Sequence, residues 1–200
     1  PARRAGNEYL FQIMATQNIE TLMRYKFKKI ITTCPHCFST FRNEYDDVTK
    51  LTGVEFEMPE VVHHSEYINE LISEGKISIK KEDTKTITYH DPCYLGRHNN
   101  VYEQPRNVIK STGLKIKEMK NSKSHSFCCG GGGSLMWAEE DQGERINHVR
   151  TGEILETGTD TVCTSCPYCT TMLSDGIKDK EKEDQVKVKD LAEIIVENIV

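Results

Sequence analysis

Two adjacent cysteines followed by a run of glycines constrain the fold of this chain more than any other feature. Cys128 and Cys129 directly precede the glycines at 130–133. Consecutive Cα atoms lie about 3.8 Å apart, whereas disulfide-bonded residues usually need about 4.4–6.8 Å, so these cysteines are poor disulfide partners. Neighbouring thiolates are better suited to bind different metal atoms. Glycines let the backbone pass close to a bulky inorganic group and direct N–H donors toward its sulfurs.

Three further cysteines extend this pair into a spaced pattern. Thirty-four residues separate Cys93 from Cys128. After Cys129, 36 residues intervene before Cys166, and two more separate that residue from Cys169. The chain has eight cysteines in 200 residues and no apolar signal segment at its N-terminus. This cysteine usage without an export signal favours metal or redox chemistry over structural disulfides.

A Cys-Pro-X-Cys element occurs twice, at 34–37 and at 166–169. Each copy follows a helix and a short apolar strand, and the two copies are displaced by 132 positions (166 minus 34). Self-similarity of this kind predicts a duplicated structural unit. No cysteine pair lies upstream of the first copy's helix. We therefore expect residues 1–84 to be the C-terminal part of a first repeat and residues 85–200 to be a complete second repeat.

Hydrophobic periodicity predicts an α/β fold in which duplicated units with short parallel sheets are flanked by helices. The predicted strands are 29–33, 86–89, 114–119 and 161–162. The predicted helices are 7–25, one starting around Cys37, 66–74, one containing Val108 and Ile109, 134–155 and 187–200. Residues 46–60 are predicted to be a loop or an irregular strand, and we expect Trp137 in the core.

The overall charge argues against one class of partner. Asp and Glu outnumber Lys and Arg by 31 to 26, so the net charge is −5, which is unfavourable for binding nucleic acid. No stretch approaches the run of about 18 apolar residues that spans a bilayer. We therefore expect a soluble cytoplasmic protein that does not bind nucleic acid.

The cysteine pattern C-xn-C-C-G-xm-C-P-x-C resembles the CCG cysteine-rich domain, which is duplicated in heterodisulfide reductase catalytic subunits and related iron–sulfur oxidoreductases. Two other segments add to the resemblance: Tyr-His-Asp-Pro-Cys-Tyr-Leu-Gly-Arg at 89–97 and Pro-Ala-Arg-Arg at 1–4. Both resemble the D-type branch of heterodisulfide reductases and the similar proteins that pass electrons from electron-transfer flavoprotein to quinone. The resemblance covers essentially the whole chain.

This resemblance implies an iron–sulfur electron-transfer domain of an oxidoreductase. In that family the motif holds a [4Fe–4S] cluster, which in the best understood members is non-cubane and bound by five cysteines. The implied ligands of one complete site are Cys93, Cys128, Cys129, Cys166 and Cys169. Cys34 and Cys37 match the final two ligands of a preceding copy, whose other three cysteines are absent from this chain.

The resemblance also implies partners. The electron donor would be a flavoprotein or a ferredoxin-type cluster, and the acceptor would be a disulfide, such as a heterodisulfide, or a quinone. A membrane subunit or an upstream membrane segment would hold the domain at the inner face of the cytoplasmic membrane. A longer protein would carry ferredoxin-type clusters upstream of this chain.

Two other functions remain open from the sequence. Cys34 and Cys37 are spaced like the dithiol of a metal-free thiol–disulfide oxidoreductase. The same pair with His63 or His64 is a candidate structural zinc site, although the 25 intervening residues exceed compact zinc-finger spacing. We expect those histidines to be polar members of a loop that starts a helix.

The sequence allows more than one role for several residues near the cysteines. Near Cys93, the side chains of His90, Arg97 and His98 are candidates to donate protons or tune a cluster's potential, and they equally suit a solvated strand end. Cys163 lies three residues before Cys166, and we expect it to be a buried spare thiol and not a sixth ligand.

Overall fold

Short parallel β-sheets flanked by α-helices make up the fold in the computed structural model, which describes residues 2–80, 85–137 and 143–200. The helices are α1 (Glu8–Leu22), α2 (Pro35–Asn43), α3 (Tyr45–Thr52), α4 (His64–Ser73), α5 (Glu103–Ser111), α6 (Ile146–Glu156), α7 (Pro167–Asp179) and α8 (Leu191–Val196). The strands are β1 (Lys29–Thr32), β2 (Glu60–His63), β3 (Thr86–Tyr89), β4 (Lys115–Ile116), β5 (Thr161–Thr164) and β6 (Lys187–Asp190). Short 3₁₀ helices occupy Arg3–Ala5, Lys123–His125 and Gly132–Trp137. The predicted α/β class is confirmed.

The strands form two sheets whose paired strands all run parallel. One sheet contains β1 and β2, and the other has the order β4-β3-β5-β6. In parallel sheets the carboxyl ends of the strands meet at the same edge, which is where such folds commonly bind ligands. Both Cys-Pro-X-Cys elements begin two residues after the last residue of a strand, at the ends of β1 and β5. Each Cys-Pro-X-Cys element therefore lies at the carboxyl end of a parallel strand.

The two halves of the structure repeat the same order of elements. β1 and α2 correspond to β5 and α7 at a displacement of 132 positions, and β2 and α4 correspond to β6 and α8 at 127 positions. Their registers correspond too, because Thr32 pairs with His63 as Thr164 pairs with Asp190. Both His63 and Asp190 are N-cap residues with a capping box. The similarity between the halves therefore extends beyond the cysteines, while the proposed domain boundaries stay a prediction.

The proline of each Cys-Pro-X-Cys element is the first residue of the helix that follows. Pro35 and Pro167 are the first residues of α2 and α7, and the preceding Cys34 and Cys166 are extended N-cap residues. Proline suits this position because its φ is already helical and its missing N–H has no partner there anyway. Each N-cap cysteine is thereby held at the junction of strand and helix.

Several predicted element boundaries are wrong. Residues 45–52 form α3, because Tyr45 and Val48 are one helical turn apart and both are buried in the cluster beside α1. Residues 187–200 contain β6 before α8, because Asp190 caps a new helix there. Strand 114–119 shrinks to Lys115–Ile116. The predicted helix 134–155 is a 3₁₀ helix and then α6, and part of it, 138–142, lies outside the described residues.

The buried faces also differ from the predicted ones in two places. In α1 the buried residues are Phe11, Ala15 and Ile19, which are spaced four apart, whereas Leu10 and Met14 are exposed. Helical spacing of the apolar residues had suggested that Leu10 and Met14 lie on the buried face, but the small Ala15 lies at the centre of the packed face. Trp137 is 81% exposed and does not lie in the core.

The close packing of α6 against α7 gives a stability prediction. A Cβ atom at Gly176 in α7 would lie 2.3 Å from Thr151 Oγ1 and 3.0 Å from the Asn147 carbonyl oxygen, both in α6. We expect Gly176→Ala to lower the free energy of unfolding by about 1–3 kcal/mol, as overpacking usually does. Urea unfolding of the purified variant measures this change.

Gly152→Ala is the matched control, because a Cβ there would meet no atom within 4 Å. This helical position should gain up to about 1 kcal/mol from the better helix propensity of alanine. Equal stability of the two variants would contradict the close approach of α6 and α7.

Candidate metal centre

The strand-to-helix junctions place four of the cysteines. Cys34 and Cys166 cap α2 and α7, and Cys37 and Cys169 follow three residues later within the first turn of each helix. Residues three apart lie on the same face of a helix, so both thiols of each pair point to the same side. Cys93 lies four residues after β3, and β3 pairs with β5. The second sheet thereby supplies cysteines from two neighbouring strands.

Seven of the eight cysteines form one continuous row of interacting thiols, which we call the thiol row. In order along the row they are Cys93, Cys128, Cys129, Cys169, Cys166, Cys34 and Cys37. The contact between Cys166 and Cys34 joins the two Cys-Pro-X-Cys elements. All seven cysteines predicted as ligands are thus brought together, while their role as ligands stays a prediction.

The thiol row is buried at its centre and open toward its ends. Cys129, Cys166 and Cys169 are buried. The three half-buried cysteines are Cys34, Cys93 and Cys128, and Cys37 is exposed. Apolar residues wall the buried part, because its cysteines pack in one cluster with Ile154, Val162, Met172 and Leu173. The structure therefore combines a water-poor centre with access for a partner at Cys37.

The thiols divide into two that ionise readily and five that do not. Hydrogen bonds from Cys166 and then Cys37 lower the pKa of Cys34, and those from Cys129 and then Cys93 lower the pKa of Cys128 to about 2. The Cys128 sulfur in turn raises the pKa of Cys129 to about 11.

The remaining members of the row also resist ionisation. A hydrogen bond from Cys169 favours the Cys166 thiolate, but Cys34 and burial oppose it and raise its pKa to about 12. Neighbouring thiols and burial also raise the pKa values of Cys37, Cys93 and Cys169. A bound metal cation would favour the ionised form of these thiols, since the thiolate is the form that binds metals.

The glycines after Cys129 fit a bulky inorganic group. The Gly130 N–H donates a hydrogen bond to Cys128 Sγ at 3.3 Å. A Cβ at Gly131 would lie 3.7 Å from Cys129 Sγ and 3.1 Å from Met172 Cγ, so a side chain there would crowd the row. Sulfur ligands, a backbone N–H donor to sulfur and a glycine cradle together suit an iron–sulfur cluster.

His90 adds a buried ring to the centre of the row. One ring nitrogen lies with Cys129 Sγ and Cys169 Sγ in a group whose ligating atoms are all within 4.8 Å of one another. Its Nδ1 accepts a hydrogen bond from Arg150 Nε at 3.0 Å. Burial, and secondly the Arg150 charge, hold the pKa of His90 well below its usual value, so the ring is neutral. The prediction that His90 belongs to a solvated strand end is wrong.

Two buried arginines brace the segment that leads to Cys128. Arg106 donates two hydrogen bonds to the Asp91 carboxylate, at 2.7 and 2.9 Å, and Asp91 also accepts from the Lys123 N–H at 2.7 Å. Arg150 donates to the Asn121 carbonyl oxygen at 2.8 Å. These contacts fix residues 121–126 relative to the end of β3.

Sequence reasoning missed Asp91, Arg106 and Arg150. Both arginines occur in helices with many polar residues, where a charge is usually solvated, and their partners are distant in sequence. One signal was available, because Asp91 follows directly after a buried strand and His90.

The other predicted accessory residues lie nearer the open side. Arg97 donates to the Ser126 carbonyl oxygen at 2.8 Å, which adds to the bracing of the same segment. His98 stacks on Tyr94 with ring centroids 4.4 Å apart, and His36 lies 4.3 Å from Tyr94 on the same measure. These rings form an aromatic group beside the open part of the row.

The zinc alternative has no geometric support among the described residues. The metal-capable group found there contains neither His63 nor His64. His63 Nδ1 lies 2.8 Å from Ser65 Oγ and caps α4, while His64 Nδ1 is 3.8 Å from Asp190. Both histidines start a helix as predicted, but they are buried and not solvated.

Cys163 lies apart from the thiol row. It is fully buried in the cluster that contains Ile87, Tyr89 and Leu191, and burial raises its pKa well above the usual value. Its thiol contacts the carbonyl oxygen of Thr164 at 3.8 Å. The expected burial of this thiol is confirmed.

Comparison with known proteins finds a matching cysteine-rich domain profile and several longer relatives. The sequence profile of the CCG cysteine-rich domain matches residues 1–42 and 87–174, so each match contains one Cys-Pro-X-Cys element. The chain is 43% identical over 201 residues to an EtfAB:quinone oxidoreductase of Syntrophomonas wolfei, covering 97% of the chain and 27% of that protein.

Two other relatives are similar over nearly the same extent. A probable iron–sulfur-binding oxidoreductase, FadF, of Bacillus subtilis is 45% identical over 198 residues, with 98% of the chain and 27% of the relative covered. The D subunit of the dihydromethanophenazine:CoB–CoM heterodisulfide reductase of Methanosarcina barkeri is 37% identical over 185 residues, with 92% and 44% covered. The chain thus spans less than half the length of each of these relatives.

The Arg106–Asp91 pair gives a second stability prediction. Arg106→Gln should lower the free energy of unfolding by about 3–5 kcal/mol, because it leaves the Asp91 carboxylate buried without its cation. Urea unfolding of the metal-free protein measures the loss. Lys110→Gln is the control, since Lys110 is exposed on the same helix, and it should change stability by no more than about 0.5 kcal/mol. Similar losses in both variants would show that Arg106 does not brace the site.

Proposed function

Because the chain belongs to the CCG cysteine-rich domain family, we propose that it is an iron–sulfur electron-transfer domain of a heterodisulfide reductase-type oxidoreductase. The observation that carries this proposal is the unbroken row of seven thiols across two strand-to-helix junctions. A dithiol enzyme needs two thiols and a structural zinc site needs four ligands. A row of seven exceeds both requirements and suits a cluster with several irons.

The five ligands proposed for one [4Fe–4S] cluster are consecutive members of the thiol row. They are Cys93, Cys128, Cys129, Cys169 and Cys166. Five adjacent sulfurs support a non-cubane cluster, because a cubane of four irons needs only four cysteine ligands. Cys34 and Cys37 adjoin this set as the proposed ligands of a neighbouring copy of the motif.

When bound, the cluster supplies one-electron transfer, and the chain's own residues supply its surroundings. Gly130 donates its N–H to sulfur, which stabilises negative charge on that atom. Met172 and the other apolar residues around Cys169 exclude water from the buried ligands. Arg106 and Arg150 hold the segment before Cys128 in place through buried hydrogen bonds.

The partners follow from the relatives and from the open end of the row. We propose a flavoprotein or ferredoxin-type electron donor and a disulfide or quinone acceptor, as the names of the relatives suggest. Cys37 is exposed and His36, Tyr94 and Tyr168 pack together, so a partner would approach on this side.

No helix among the described residues is long and apolar enough to cross a membrane. A quinone partner would require contact with a membrane, which we assign to another subunit or segment on the cytoplasmic side.

A metal-free thiol–disulfide oxidoreductase is the second candidate, and the lowered pKa of Cys34 favours it. The largest cause of that lowering is the hydrogen bond with Cys166 in the other Cys-Pro-X-Cys element, and only the second is Cys37. A two-thiol enzyme has no need of that distant partner. Cys37, the other member of the pair, has a raised pKa. A cluster site built from the thiol row therefore explains the contact between Cys34 and Cys166, which a two-thiol enzyme does not explain.

Anaerobic reconstitution with iron and sulfide tests the proposed cluster. The protein should take up about four irons and four sulfides per complete site, with charge-transfer absorption that bleaches on reduction. Cys166→Ala and Cys129→Ala should abolish this uptake, because each removes a thiolate ligand. Zinc bound without sulfide, or a colourless protein with a titratable dithiol, would overturn the proposal.

Cys163→Ala is the matched control for the ligand substitutions. It removes one buried thiol outside the row and should retain the cluster, at a packing cost of about 1 kcal/mol. Loss of iron in Cys163→Ala together with retention in Cys166→Ala would show that the wrong cysteines have been assigned.

A further inference from the structure

The ring of His90 is fixed at the carboxyl edge of the second sheet. Its backbone N–H donates to the Cys163 carbonyl oxygen at 2.8 Å, and its carbonyl oxygen accepts from Thr164 Oγ1 at 3.3 Å. Both partners belong to β5, which leads directly into Cys166. The backbone of His90 is therefore held against the strand that leads to Cys166 and Cys169.

A guanidinium selects one protonation form of this ring. Arg150 Nε lies 3.0 Å from His90 Nδ1, and arginine has donors but no acceptor. Nδ1 must therefore accept the hydrogen bond with its lone pair. A doubly protonated ring would place an N–H against an N–H. The proton of the neutral ring is consequently on Nε2.

Arg150 itself is held by several partners. It donates to the Asn121 carbonyl oxygen at 2.8 Å, lies 3.4 Å from Ser126 Oγ, and forms a salt bridge with Glu153. The side chain is fully buried. The guanidinium cannot turn away from His90 without losing these interactions, so Arg150 acts as a positioning residue for the ring.

The opposite nitrogen of His90 is unpartnered. Nε2 is buried and has no hydrogen-bond partner. The metal-capable group that includes His90 contains Cys129 and Cys169, with ligating atoms within 4.8 Å of one another. A histidine that binds a metal through one nitrogen normally donates the proton on its other nitrogen to an acceptor. Here the other nitrogen faces a guanidinium, which is a donor, so the geometry disfavours a ligand role.

We infer that His90 carries its proton on Nε2, in the tautomer that Arg150 selects, and that it offers this N–H to the sulfur of a cluster bound at Cys129 and Cys169 and is not a metal ligand. The effect on a bound cluster rests on the proposed function. An N–H donor stabilises added negative charge on cluster sulfur, so it favours the reduced state and raises the reduction potential. His90 would thus set the potential without holding iron.

The tautomer is tested first in the metal-free protein, which needs no cluster. Long-range proton–nitrogen NMR of ¹⁵N-histidine-labelled protein reports which ring nitrogen carries the proton, and the His90→Gln variant identifies the His90 signals by their loss. We expect the proton on Nε2. A proton on Nδ1 would overturn the inference, whether or not the protein later binds iron.

The role toward the cluster is tested by three variants after reconstitution. His90→Leu should retain the iron content of the unmodified protein and shift the midpoint potential to more negative values. His90→Gln, which keeps an N–H donor, should shift it less. His64→Leu removes another buried histidine whose ring nitrogens have no hydrogen-bond partner, and it should leave the potential unchanged because His64 does not belong to the metal-capable group.

The remaining outcomes separate this inference from the proposed function. Loss of iron in His90→Leu, as in Cys129→Ala, would show that His90 is a ligand. An unchanged potential in a correctly loaded His90→Leu would show that the ring only fills space. Failure of the unmodified protein to take up iron and sulfide would refute the proposed function, while the NMR result would still decide the tautomer.

Discussion

The parallel pairing of β3 with β5 is the constraint on which the candidate site depends. Because parallel strands end at the same edge, this pairing brings the segment containing Cys93 to the strand end that carries Cys166, although 73 positions separate them in sequence (166 minus 93). The segment of Cys128 has no strand of its own to position it. Buried hydrogen bonds from Arg106 through Asp91 and from Arg150 take over that task. The sheet therefore positions Cys93 and Cys166, and buried hydrogen bonds of the two arginines position the segment of Cys128.

The buried arginines near the thiol row are paired with acidic side chains. Arg106 is paired with Asp91 and Glu118, and Arg150 is paired with Glu153. Neutral groups lie beside the sulfurs: the Gly130 N–H donates to the half-buried Cys128, and the His90 ring lies with the buried Cys129 and Cys169. Neutral dipoles stabilise charge on sulfur without placing a buried cation beside a metal. This arrangement avoids the large cost of an unpaired buried charge while keeping the site water-poor.

The sequence was sufficient for the parts of the site that depend on neighbouring residues. The short apolar strands before each Cys-Pro-X-Cys element are local signals and were predicted correctly, and the proline that starts each following helix is a local signal too. The contact between these two cysteines depends on how the two halves pack, which no local pattern encodes. The buried arginines were missed for the same reason, since their burial depends on distant acidic partners. The buried face of α1 was misjudged because apolar residues occur around much of this helix, so their spacing did not single out Phe11, Ala15 and Ile19.

The correspondence between the two halves fails at one strand edge. Ile31 in β1 and Cys163 in β5 occupy equivalent positions, 132 residues apart, yet Cys163 is fully buried and Ile31 is 47% exposed. β5 has a hydrogen-bonded neighbour on each side, whereas among the described residues β1 has one on a single side. A strand edge with free backbone groups and an exposed isoleucine is a template for pairing with another chain. The open edge of β1 corresponds to the edge of β5 that β3 covers in the other half.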